Sequence, residues 1–137
     1  MELTEDLRQR LLAASLQART RSYSPYSRYA VGAAVLDELG RIHSGANIEN
    51  AAYPQGWCAE TTALAAMRMA GGSRATAVLV SGPGPDILTP CGGCRQKLRE
   101  FAGPELIIFA ADPGGIRQQW TLEQLLPFSF GPEHLKL

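Results

Sequence analysis

Short apolar runs alternate with helix-patterned segments along most of this chain, and that alternation constrains its fold more than any other feature. The longest runs, Ala30 to Leu36 and Leu106 to Ala111, are too short to cross a bilayer and suit buried strands. Strands are predicted over Ala30–Asp37, Arg41–Ala46, Ala75–Ser81, Glu105–Ala111 and Ile116–Trp120, the first two joined as a hairpin by the Glu38–Gly40 turn. Thr4 caps a first helix whose apolar stripe is Leu7, Leu11, Leu12 and Leu16, fading near Arg19 to Ser22. A second helix runs from about Cys58 to Ala70 and stops at Gly71-Gly72; a third follows Pro90, from Cys91 to Phe101. Thr121 caps a short fourth helix to Leu126. This order predicts an α/β fold, a mixed sheet of five strands with helices on both faces. With 137 residues, no repeat and no long linker, the chain is expected to form one domain, 1–137.

Composition narrows the function classes. The 13 basic residues balance the 13 acidic ones, which removes the attraction that dominates most nucleic-acid binding. A small neutral ligand is the better expectation, with no nucleic-acid partner. The acidic start, Met-Glu-Leu-Thr-Glu-Asp, lacks the basic and apolar regions of a secretory signal, and no membrane span is expected. An odd cysteine count of 3 fits poorly with a disulfide framework. The chain is therefore expected to be cytoplasmic, its thiols free for metal or chemistry.

All three cysteines fall in two motifs, Trp57-Cys58-Ala59-Glu60 and Pro90-Cys91-Gly92-Gly93-Cys94-Arg95-Gln96, each at a predicted helix start. Cys91 and Cys94 are one helical turn apart and can share an ion. A helix start lowers thiol pKa and favours the thiolate that zinc requires. If the two helix starts lie side by side, Cys58 completes a set of three thiolates. Three protein ligands leave tetrahedral zinc one open position, which distinguishes a catalytic site from a structural one. Glu60, two residues past Cys58, is the candidate acid–base group. A closed structural site needs a fourth ligand, and neither His43, in a predicted strand, nor His134, in the tail, has ligand spacing. A redox Cys-x-x-Cys pair explains neither Cys58 nor Glu60.

Several blocks in order resemble the small, homotetrameric, zinc-dependent cytidine deaminases. They are Ser24-Pro25-Tyr26-Ser27, Val31-Gly32-Ala33-Ala34, Asn47-Ile48-Glu49-Asn50-Ala51, Cys58-Ala59-Glu60, Pro90 to Gln96 and Glu123 to Pro127. The resemblance implies a three-layer α/β/α sandwich that deaminates cytidine and 2′-deoxycytidine in pyrimidine salvage. It implies one zinc ion per chain on Cys58, Cys91 and Cys94, with Glu60 carrying the proton. It assigns Asn47 and Glu49 to the ribose hydroxyls, Ala59 to substrate contact, and Tyr29 and Phe130 to the pyrimidine ring. Phe130 is expected to reach a neighbouring subunit's site in a homotetramer with shared active sites.

One position departs from the family pattern. Many relatives with three cysteines read Cys-Ala-Glu-Arg, the arginine bonding the thiolates; here Thr61 stands there. Three thiolates on Zn²⁺ leave a net charge of about −1. Thr61 is expected to donate one weaker hydrogen bond, and Arg95 to help offset the charge. Trp57, a bulky neighbour of the first ligand, is expected to bear on which bases fit. The alternative substrate is a modified or antibiotic aminopyrimidine nucleoside of the blasticidin S type; the complete Asn-Ile-Glu-Asn block argues for ordinary ribose. Nucleic-acid editing and a non-catalytic zinc-stabilised module are the readings from other classes.

Overall fold

The computed structural model describes residues 3–135. Its elements follow the predicted order: α1 (Glu5–Arg19), β1 (Gly32–Asp37), β2 (Ile42–Ala46), α2 (Ala59–Met69), β3 (Ala75–Ser81), α3 (Gly92–Phe101), β4 (Ile107–Asp112), β5 (Gly115–Thr121) and α4 (Leu122–Leu125). Thr4 caps α1 by accepting from the Leu7 N–H at 3.2 Å. Thr121 and Gln124 close a capping box on α4.

The strands form one sheet in the order β2-β1-β3-β4-β5, in which only β3 and β4 are parallel. All six residues of β1 are buried, because both faces of the sheet are covered. Ala33, Val35, Val78, Val80 and Ile108 point to one face and pack on Ala63, Met67 and Leu98 of α2 and α3. Ala34, Leu36, Leu79 and Phe109 point to the other and meet Leu11 of α1. The result is the expected three-layer α/β/α sandwich.

The buried line of α1 differs from the predicted stripe. Ser15, not Leu16, occupies the central position, fully buried with its Oγ 2.7 Å from the Ser81 hydroxyl, while Leu16 is half-buried. Pairing two hydroxyls removes the cost of burying either alone. Gly45 serves close approach on the other face: a Cβ there would lie 2.6 Å from the Ala63 N and 2.7 Å from the Thr62 Cβ. This contact seats the start of α2 directly on β2.

Topology sets where chemistry can occur. α2 leads into β3 and α3 leads into β4, and those strands are parallel. Both helices therefore run in the same sense and begin at the same end of the sheet, beyond the carboxyl ends of β3 and β4.

Candidate active site

Cys58 and Cys91 stand at the N-cap positions of α2 and α3, in extended backbone, and neither side chain makes a capping hydrogen bond. Serine, threonine or aspartate would turn inward to cap; cysteine leaves its sulfur facing the neighbouring helix start. Cys94 lies in the first turn of α3 and is fully buried. The three Sγ atoms lie within 4.8 Å of one another, with those of Cys58 and Cys91 3.8 Å apart. Tetrahedral bonds of about 2.3 Å to zinc would separate two sulfurs by about 3.8 Å, so the donor set fits that ion.

Electrostatics points the same way. Hydrogen bonding from Cys94 outweighs burial and, with Cys91 and the Lys97 charge, draws the Cys58 thiol down to about 6. Cys94 is driven up, first by its hydrogen bond with Cys58, then by burial and the Glu60 charge. One thiolate forms readily, and its neighbour keeps its proton. Full ionisation of so close a set needs a cation among the sulfurs.

Glu60 is 4% exposed in the first turn of α2. Burial pushes its carboxyl up to about 7; the Cys58 charge adds to this, while its own backbone N–H opposes it. A carboxyl poised near neutrality is suited to both accepting and giving a proton. It lines a cavity of about 190 Å³ together with Cys58, Cys91, Ala59, Asn47 and Tyr29. Val31, Leu88 and Thr89 complete the wall. Leu88 was missed from sequence; its only signal is an apolar pair, Ile87-Leu88, within a loop otherwise rich in Gly and Pro.

Asn47 is built into the chain around it. Its Oδ1 accepts from the Val31 N–H at 3.0 Å and from the Ser22 hydroxyl, and its Nδ2 donates to the Tyr29 carbonyl at 2.8 Å. One amide proton remains for a ligand. Glu49 lines a separate cavity of about 370 Å³ with Tyr26, Ser27 and Tyr53. Its carboxylate accepts from the Tyr26 and Ser27 N–H groups at 3.0 and 3.1 Å and from the Ser27 hydroxyl, which contributes most to holding its pKa below the usual range. Phe130 reaches neither cavity. It is 56% exposed and stacks on His134 with ring centroids 5.2 Å apart.

Two expectations need correction. Arg95 does not face the sulfurs: its guanidinium donates to the Pro90 and Leu125 carbonyls, both at 2.7 Å, and to the Thr89 hydroxyl at 2.9 Å. Its work is to tie the start of α3 to the preceding loop and to the end of α4. Trp57 does not line the Glu60 cavity but a groove on the other side of the sulfurs, beside Thr61 and Lys97. It cannot shape the fit of a base there. His134 lies exposed in the tail as expected, stacked on Phe130 and accepting from the Gly131 N–H at 2.9 Å. His43 stays on its strand, bonded to the buried Asp37 at 2.8 Å and apart from the cysteine cluster. Thr61 does approach the cluster, its Oγ1 4.0 Å from Cys94 Sγ. Lys97, unremarked in the sequence, donates to that same Oγ1 at 3.0 Å.

Known proteins match this arrangement along most of the chain. Residues 5–110 fit the profile described as the cytidine and deoxycytidylate deaminase zinc-binding region. A cytidine deaminase of Sporosarcina psychrophila is 40% identical over 129 residues, covering 93% of both chains. The crystal structure of cytidine deaminase from Burkholderia pseudomallei superposes with a TM-score of 0.83 at 36% identity, covering 89% of this chain and 98% of the other. That of the Mycobacterium tuberculosis cytidine deaminase gives a TM-score of 0.78 at 41% identity, covering 90% and 96%. Similarity this high, sustained over nearly the whole length of these relatives, makes the chain a member of the zinc-binding cytidine and deoxycytidylate deaminase family.

Proposed function

We propose that this chain catalyses the zinc-dependent hydrolytic deamination of cytidine and 2′-deoxycytidine to uridine and 2′-deoxyuridine, as a pyrimidine salvage enzyme. The observation that carries the reading is the convergence of Cys58, Cys91 and Cys94 within 4.8 Å at the cavity that Glu60 lines. Those cysteines would hold the ion, which when bound supplies the Lewis acidity that makes water nucleophilic near neutral pH. Every other role falls to the chain. Glu60 takes a proton from the attacking water and delivers it to the ring nitrogen as oxygen adds to the amine-bearing carbon. It then takes the remaining proton of the added hydroxyl and passes it to the amine; the carbon–nitrogen bond breaks, ammonia leaves, and the oxygen becomes the carbonyl of the product. Tyr29 and Ala59 bound the ring.

Asn47 offers its remaining amide proton to a sugar hydroxyl. Glu49 grips the sugar by exchanging its Ser27 contact for a ribose hydroxyl. Phe130 caps the site of a neighbouring copy in a homotetramer; its exposed ring, and that of Phe128, 99% exposed two residues earlier, support this reading. Residues 1–137 act as one catalytic domain. Among the described residues no helix is long and apolar enough to cross a membrane. Three free thiols suit a reducing compartment, so we place the enzyme in the cytoplasm. No feature of the cavity favours a blasticidin S-like substrate.

The test is an ultraviolet assay over cytosine, cytidine, deoxycytidine and modified analogues, with and without chelator. Chelator-sensitive loss of the cytidine absorbance is the expected result. A protein that binds zinc yet leaves every substrate unchanged would instead be a zinc-stabilised binding module.

A further inference from the structure

We infer that Lys97 is a positioning residue for the metal site: acting through Thr61, it supplies the positive charge that the family's arginine supplies elsewhere. This rests on the proposed zinc chemistry and extends it to a residue with no assigned role. Lys97 lies three residues beyond Cys94, hence on the same face of α3. Its Nζ is 3.0 Å from the Thr61 Oγ1, which is 4.0 Å from the Cys94 Sγ. The latter distance is long for a hydrogen bond and close for a dipole facing a thiolate.

The direction of the relay follows from the inventory of protons. An ammonium only donates, so it must occupy a lone pair of the Thr61 oxygen. The hydroxyl proton is then free to turn toward the sulfur, and the positive end of the dipole faces Cys94. Lys97 pairs with no carboxylate among the described residues, so its charge is not neutralised locally. It lines a groove of about 200 Å³ together with Trp57, Leu64 and Phe101. The other nearby cations are engaged elsewhere: Arg95 with carbonyls and Thr89, and Arg68 with the Gly72 carbonyl at 3.0 Å. Lys97 thus relieves the negative charge that three thiolates leave on a divalent ion.

The experiment uses the full chain loaded with Co²⁺, whose sulfur-to-metal charge-transfer band reports electron donation by the thiolates, and in parallel with Zn²⁺. Lys97→Met keeps the stem and removes the charge. It is expected to move the cobalt band to longer wavelength and to lower kcat on cytidine about three- to tenfold at unchanged KM, the lower end of effects for groups behind metal ligands because Lys97 is exposed. Lys97→Arg is expected to restore both. In a Thr61→Val background, Lys97→Met should move the band no further. An unmoved band in Lys97→Met overturns the inference, and equal shifts in both backgrounds overturn the relay through Thr61. If the unaltered protein binds no ion and leaves cytidine intact, the proposed function fails first and this inference with it.

Discussion

The Asn47 side chain donates to the Tyr29 carbonyl at 2.8 Å, so the residue assigned to the sugar also holds in place the residue assigned to the base. Asn47→Asp keeps the shape but turns that donor into an acceptor facing a carbonyl. A backbone acceptor left without its partner costs about 2 kcal/mol, equivalent to roughly thirtyfold. The expected outcome is a loss of that order in kcat/KM for cytidine with zinc content unchanged. Michaelis constants and metal analysis on the same preparation check it; an unchanged KM would detach Asn47 from the sugar.

Glu60→Gln removes the proton carrier while leaving all sulfurs in place. Turnover should fall by about 10² to 10⁴, the range for general acid–base assistance, with bound zinc retained. Single-turnover kinetics at saturating cytidine measures the chemical step directly. Near-normal turnover would take the role away from Glu60.

Removal of the metal should loosen the fold as well as stop the reaction. A ligand present at a thousand times its dissociation constant stabilises by about 4 kcal/mol, or roughly 10 °C in Tm for a domain of this size. Chelation is therefore expected to lower Tm by that order, reversibly on adding zinc, and Cys94→Ala should abolish the difference. Calorimetry of the three forms decides; equal Tm values would show that the sulfur cluster has no ion to lose.

Asp37 links stability to pH. Burial alone would raise its carboxyl, but hydrogen bonds from His43, the Arg41 and Leu39 N–H groups and the Arg41 side chain outweigh that and hold it at about 2, below the ordinary 3.8. A depressed folded pKa means stability that is complete above about pH 4 and is lost as pH falls toward 2. Asp37→Ala should cost about 3 kcal/mol at neutral pH, since it strands Arg41 and His43. It should also flatten that acid slope, as urea denaturation at a series of pH values will show.

Much of this was readable because the decisive signals are local. The Thr4 and Thr121 caps, the Gly71 stop and the spacing of Cys91 and Cys94 each act within one helical turn. The continuous apolar run of β1 carried the layered fold, since buried strands between two helical layers admit little else. What escaped depends on direction in space. Arg95 follows Cys94 immediately and so points about 100° away around α3, whereas Lys97 comes back to the same face. Sequence distance favoured the wrong cation. Trp57 adjoins Cys58 in the chain, yet it lines the groove beside Thr61 and Lys97 and not the Glu60 cavity. Ser15 displaced Leu16 because Ser81 offers it a partner across 66 positions, a separation no periodicity reports. Phe130 lines neither cavity of its own chain and stacks on His134 instead.

The lone parallel pairing, β3 with β4, has a consequence for assembly of the protein. The smallest slip that keeps every side chain on its own face is two residues, or about 7 Å. Such a slip would carry one helix start past the other by more than the 4.8 Å that now spans the sulfurs. A divalent ion would then work as a gauge of alignment, captured by chains that have zipped their central strands correctly and refused by those that have not.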